Sequence, residues 1–278
     1  MSHTWAKRRL EQRLPPLLTL LLPVGAGLAY LIRFGAPPQY IAINAAATGV
    51  AAIWIILGHA PSGIRASRVL IAALLALCFV PLLTGPDING IARWIPVGAE
   101  TLHTGALLFP AIAVLAAQDR DYASPMLLTA LFAALLQPDA AFGFAVVFAA
   151  IGLHDQSRDW RHGLVAIVGF VAALIMAIGG ELPPEPFVER VFADTLTTTP
   201  LIGASLLVAL GGGLMGMLFC APFEARARYA LAGSLFGFGM MSIMSHYPTV
   251  LIGYGAAPIL GYGLALGLRQ KNPASRSS

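Results

Sequence analysis

The sequence predicts an all-α fold: a polytopic membrane helix bundle of about ten transmembrane helices, with both termini in the cytoplasm. Three observations carry this. Of the 278 residues, 58% are hydrophobic and only 11% charged, at a mean hydropathy of +0.77. A soluble domain needs about 25% charged residues to cover its surface. Apolar stretches recur along the whole length, and about 20 such residues cross a bilayer as a helix. Basic residues lie in short connections between these stretches, the arrangement that orients a membrane protein.

The apolar runs place spans at residues 15–33, 39–58, 68–84, 103–118, 124–137, 140–153, 162–180, 200–220, 228–245 and 249–268. Lys7-Arg8-Arg9 ahead of an apolar run from Pro15 to Ile32 is similar to a signal peptide. The run exceeds the about 7–15 residues of such a segment and more spans follow, so it reads as an uncleaved first helix. One membrane domain then covers residues 1–278, with 1–14 and 269–278 as cytoplasmic tails.

Residues 124–153 decide the count, because Gln137-Pro138-Asp139 interrupts them. A single helix would hold Pro and Asp near mid-bilayer, where both are unfavourable. Two short helices turning at Gln137–Asp139 put those groups at a water-facing rim. Charge bookkeeping selects the second arrangement. It leaves Arg33, Arg93 and Arg190 outside and the remaining fourteen of the 17 Lys and Arg residues inside. A single helix would flip everything downstream and erase the bias.

The net charge of +4 and pI of about 9.3 do not mark a nucleic-acid partner, since the basic residues are spread through topogenic loops. Cys78 and Cys220 lie in or beside apolar spans without a CxxC pairing and read as small core residues. No P-loop, HExxH, nucleophile elbow or haem-type His pair is present, and no metal or cofactor is indicated, although a divalent cation is compatible with the sequence. Gly212xxxGly216, Gly233xxxGly237 and Gly263xxxGly267 predict close helix packing within the molecule. Met240, Met241 and Met244 read as core, and His103 and His246 as interfacial residues at outer helix ends.

Function is best sought in the two longer outer loops, Gly85–Leu102 and Glu181–Thr199. The second carries Glu181, Glu185, Glu189 and Asp194 against Arg190, a net of −3 that has no topogenic role.

Three motifs bear on what the loops do. Asn89-Gly90-Ile91-Ala92-Arg93-Trp94-Ile95-Pro96-Val97-Gly98 resembles the NGxRRWIxxG signature of the shape, elongation, division and sporulation (SEDS) family. Leu136-Gln137-Pro138-Asp139 resembles that family's LQPD motif, at the matching place between the fifth and sixth helices. Gly253-Tyr254-Gly255 through Leu268 is similar to its SYGGSSLLxxLLALGL stretch. The resemblance runs from residue 85 to 268. It implies a bacterial inner-membrane protein of cell-wall synthesis, cell shape or division, with the fold of a glycosyltransferase that polymerises lipid II, usually beside a class B penicillin-binding protein.

The same resemblance implies site residues. The family's catalytic aspartate lies in the outer loop between helices seven and eight, and aligning its end on Leu201-Ile202-Gly203-Ala204 puts that position at Glu189. The chemistry needs a base for a sugar 4-hydroxyl as it attacks an anomeric carbon bearing a pyrophosphate. Arg93 is the outer cation available for the pyrophosphate. Trp94 serves as an interface anchor or a sugar-stacking platform, Gln137 and Asp139 contact substrate at the rim, or Asp139 caps the helix starting at Ala140. Tyr254 is expected in the core.

The departures point the other way. Where the family continues with QPSExxK, both charged positions are apolar here, Ala106 and Phe109, and the GEELG stretch is Leu196-Thr197-Thr198-Thr199-Pro200. Three readings stay open: an active minimal glycosyltransferase; a non-catalytic scaffold or partner-binding subunit on the same fold; and a flippase for lipid-linked precursors. The near absence of ionisable residues within spans argues against ion-coupled transport.

Overall fold

A computed structural model describes residues 2–98, 100–180 and 182–269, with side chains from residue 12 onward. Its helices are α1 (Ser2–Arg33), α2 (Pro38–Leu57), α3 (Ile64–Cys78), α4 (Pro81–Thr84), α5 (Thr104–Ala117), α6 (Ala123–Leu136), α7 (Ala140–Ser157), α8 (Trp160–Gly179), α9 (Val191–Thr198), α10 (Pro200–Phe219), α11 (Ala225–Met244) and α12 (Ala256–Gly267). An antiparallel hairpin, β1 (Trp94–Val97) and β2 (Glu100–His103), precedes α5, with Trp94 paired to His103. Neither the hairpin nor α9 follows from hydropathy.

The chain is a multi-pass membrane protein. Six helical segments are long and apolar enough to cross a bilayer, three shorter apolar helices (α5, α6 and α12) accompany them, and α11 supplies the tenth. Large apolar side chains such as Val50, Ile53, Ile167 and Ile175 face outward, as they would toward lipid. Eight of the ten expected spans agree with helices to within about a turn, and the first shares its end with α1, which runs back to Ser2. The third breaks after Cys78 and resumes at Pro81, whose missing N–H cannot continue the hydrogen-bond ladder. The C-terminal tail beyond Arg269 lies outside the described residues.

The last span needs correcting: expected over 249–268, it starts at Ala256. Residues 249–252 are apolar enough to pass for helix, but their backbone is engaged elsewhere. The Thr249 amide donates to the Val188 carbonyl at 2.8 Å and the Tyr254 amide to Phe187 at 2.7 Å. Asn44 of α2 fixes the end of this segment, donating to the Gly253 carbonyl and accepting from the Gly255 amide, each at 3.1 Å. Cys220 also departs from expectation, lying exposed beyond the end of α10, whereas Cys78 is buried.

The glycine pairs pack as expected. A Cβ on Gly233 or Gly237 of α11 would stand 2.2 Å from the Phe148 carbonyl oxygen or 2.4 Å from that of Phe144, both on α7. Only glycine lets two helix backbones approach so closely. Gly212 and Gly216 meet Leu22 and Thr19 of α1, and Gly263 and Gly267 meet Ala51 and Trp54 of α2. Of the methionines, Met241 enters the core and Met244 stays exposed.

Charged groups sort to the two ends of the bundle. At the inner end Arg13 donates to the Ile55 and Gly58 carbonyls, both at 2.7 Å, and Arg68 grips Asp119 with two bonds of 2.6 and 3.2 Å. The outer end collects the hairpin, the 137–139 turn, the loop around Glu189 and the segment before α12. The short helices explain why this end is hollow. At about 1.5 Å per residue, α5 and α12 reach roughly 18–21 Å, well short of a hydrocarbon core of about 30 Å.

Candidate active site

A cavity of about 460 Å³ opens at the outer end of the bundle. The start of α5 contributes His103 and Ala106, the start of α12 Ala256–Pro258, and α11 contributes Phe238. Phe238 lies six residues before the end of α11, so the cavity reaches about 9 Å below that end. Trp94, Glu185, Glu189, Thr249 and Tyr254 supply polar groups to its wall.

Glu189 is held there by backbone. It bridges Pro248 in antiparallel fashion, and one carboxylate oxygen accepts the Glu185 amide at 2.7 Å. Phe187, Arg190 and Leu251, in the two paired segments, adopt positive φ (68°, 60° and 62°), a conformation that non-glycine residues take at an energetic cost. Burial pushes the Glu189 pKa up to about 7, and the nearby Glu185 charge adds to it while the Glu185 amide and the Arg93 charge oppose it. A carboxyl in that range accepts a proton near neutral pH and gives it up again.

Arg93 is only 2% exposed and lies behind the cavity wall. Its guanidinium is sandwiched between the rings of Trp94 and Tyr247, 4.8 and 4.9 Å from their centroids, and donates to the Gly180 carbonyl at 3.3 Å. Its Nε has no hydrogen-bond partner among the described residues. The Tyr247 hydroxyl accepts the Ala140 amide at 3.1 Å, tying this cluster to the first turn of α7. Gly180 fits because its Cα faces the Pro138 carbonyl, where a Cβ would be 2.0 Å away.

Asp139 and Gln137 are fully buried. Asp139 caps α7 by accepting the Phe142 amide at 3.0 Å, the capping alternative of the sequence reading. Its other oxygen is 3.0 Å from His103 Nε2, an ion-pair distance poorly aligned for a hydrogen bond. Burial alone would raise the Asp139 pKa, but His103, Arg93 and the Phe142 amide more than offset this and hold it below the ordinary value. Gln137 donates to the Cys78 carbonyl, where α3 breaks. Neither side chain lines the cavity. Of the five expected site residues, Trp94 and Glu189 line the cavity, Arg93 stacks on Trp94 and Asp139 meets His103 behind it, and Gln137 is engaged with the Cys78 carbonyl instead.

His103, expected only as an interfacial residue at a helix end, instead faces Asp139 beside the cavity. Its Nδ1 accepts the Ala106 amide at 3.1 Å, so a neutral ring carries its proton on Nε2, facing Asp139. Phe109 and Ala106, which stand where the family carries charges, are buried. A titratable partner for Asp139 is nonetheless present, one turn or more earlier. Tyr254, expected in the core, is instead half-buried on the cavity wall; it stacks on Tyr40 at 3.7 Å between centroids and donates to Glu100. Asn44 could have been suspected as an amide inside an apolar span. His103 could not, since only the fold brings it to Asp139. Among the described residues no group of three or more His, Cys, Asp or Glu side chains is arranged to hold a metal ion.

The architecture has counterparts among solved structures. The crystal structure of the rod shape determining protein RodA from Thermus thermophilus superposes with a TM-score of 0.61, covering 91% of this chain and 93% of that one at 17% identity. The chain shares the fold of RodA. A point mutant of the Thermus RodA gives 0.64 at 19% identity over 91% and 94% of the two chains. A chain from a peptidoglycan synthase complex, described as coordinating polymerization and crosslinking, gives 0.59 at 20% identity over 89% and 95%. No family model matches the sequence, and no curated protein does. The RodA-like fold thus accompanies motifs that resemble the SEDS family, at an identity too low to carry more than the fold.

Proposed function

We propose that the chain is a SEDS-type protein of the bacterial inner membrane that transfers a glycosyl unit from a lipid-linked, diphosphate-activated sugar on its outer face. Glu189 is the base. Its carboxylate takes the proton from a sugar 4-hydroxyl, the oxygen bonds to the anomeric carbon of the donor, and the lipid diphosphate leaves with the electron pair. The observation that carries this reading is Glu189 on the wall of the outer cavity, with its pKa raised to about 7 by burial. Trp94 lines the same wall and is the ring assigned to the sugar. Arg93 supplies positive charge from behind it, and its unpartnered Nε is available to the diphosphate if the wall shifts on binding. Lipid II is the donor and acceptor that the motifs favour, and a class B penicillin-binding protein is the partner that the family resemblance implies; that a chain of the same fold belongs to a peptidoglycan synthase complex supports a partner of some kind.

The test is polymer formation from lipid II in proteoliposomes, with a class B penicillin-binding protein supplied, comparing the wild type with Glu189→Gln. The wild type should polymerise, and the variant should fall by at least about 10²-fold, the range of a lost general base. Equal polymer from both proteins removes Glu189 from the base role.

A second reading has one observation in its favour. The cavity wall carries no Lys or Arg, and the positions where the family carries charges hold the buried Ala106 and Phe109. A scaffold that binds a partner and no longer polymerises fits that. Its signature is partner binding with no polymer from either protein.

A further inference from the structure

Threonine hydroxyls in this chain have a habitual partner. Thr19, Thr48, Thr129 and Thr195 each donate to the carbonyl four residues earlier, at 2.9, 2.6, 2.9 and 2.5 Å. Thr249 does not. It is 2% exposed, yet its hydroxyl oxygen has no hydrogen-bond partner among the described residues. A buried unsatisfied hydroxyl is uncommon, and each instance asks for an explanation.

Its surroundings supply one. Thr249 lines the outer cavity together with Glu189 and Trp94. The main chain cannot easily turn the hydroxyl elsewhere, because it is pinned on both sides. The Thr249 amide donates to Val188 at 2.8 Å, and the Thr249 carbonyl accepts the Gly253 amide at 2.8 Å and the Ile252 amide at 3.2 Å. The neighbouring Pro248 is bridged to Glu189 itself. One backbone pairing therefore fixes both the carboxylate and the threonine on the same wall.

We propose that Thr249 is a substrate-contacting, specificity-determining residue, whose hydroxyl binds a hydroxyl or amide of the sugar that occupies the cavity beside Glu189. A hydroxyl both donates and accepts, which suits a sugar group whose own proton passes to a neighbouring base. The hydroxyl oxygen is shut off from solvent at the wall, so a small rotation of the side chain toward the cavity is what lets a sugar group take up its bonding capacity. A site built to bond a ligand hydroxyl discriminates against analogues that lack it. The inference rests on the glycosyl-transfer reading above.

The test uses the full chain in proteoliposomes, with lipid II as the probe for both binding and turnover, and compares Thr249→Val and Thr249→Ser with the wild type. Valine keeps the shape and removes the hydroxyl; serine keeps the hydroxyl. The expected result for Thr249→Val is a KM about three- to tenfold higher, the worth of one neutral hydrogen bond, with Thr249→Ser close to wild type. The ligand-free Tm of Thr249→Val should match or exceed the wild type, because no protein partner is lost. Wild-type kinetics in Thr249→Val overturn the inference while leaving the glycosyl-transfer reading intact. A fall in ligand-free Tm together with any loss of binding overturns it too, by showing a structural role. A wild type that neither binds nor turns over lipid II overturns both.

Discussion

Burial raises the Glu189 carboxyl to about 7 against an ordinary 4.5, and the Arg93 charge pulls the other way. The folded state therefore favours the protonated group. What this contributes to stability is complete below pH 4.5 and is lost as the pH rises through 7. Glu189→Gln, always neutral, should match the wild type in Tm at pH 4 and exceed it at pH 8. A full shift of this size would correspond to about 3 kcal/mol, and discounting for partial solvent exposure leaves about 1 kcal/mol. Thermal unfolding in detergent at the two pH values checks this, and a variant less stable than wild type at pH 8 would contradict it. The residue scale is also where the sequence was least legible. Glu189 and Trp94 could be aligned to motifs, but the contact of His103 with Asp139 joins positions far apart in sequence. The unpartnered hydroxyl of Thr249 is likewise a property of packing, to which composition is blind.

Helices were legible where hydropathy alone decides them. The turn at Gln137–Asp139, inferred from charge bookkeeping, separates α6 from α7 as expected. Hydropathy failed at residues 249–255, where an apolar stretch is held out of helix by bonds to Phe187, Val188 and Asn44. The glycine pairs were readable because close backbone approach leaves a sequence spacing. Gly237→Ala should lower Tm, since the new methyl would press on the Phe144 carbonyl oxygen, with a cost of about 1–3 kcal/mol for overpacking. Gly49→Ala on α2 is the control: nothing lies within 4 Å of its Cβ position. There the gain in helix propensity, about 1 kcal/mol in water, leaves Tm level or higher. An unchanged Gly237→Ala would mean that α7 and α11 are not in such close contact.

At the scale of the molecule, ten spans bring Arg93, Asp139 and Glu189 to one end, which a nine-span reading cannot do. With both native cysteines replaced by serine, Pro184→Cys should react with an impermeant thiol reagent from outside intact spheroplasts. Arg158→Cys should react only after permeabilisation, and the reverse pattern would mean an inverted C-terminal half. Both positions are exposed. The fold explains why a small outer face suffices: short helices leave a hollow, and two backbone segments bonded to each other line it with a carboxylate and a hydroxyl. The most direct test of Glu189 as the base of the outer cavity is the pH dependence of lipid II polymerisation in proteoliposomes. With Glu189 as the base, the rate falls about tenfold per pH unit below a midpoint near 7, and Glu189→Gln shows no such limb. A wild-type limb that persists unchanged in Glu189→Gln would contradict it.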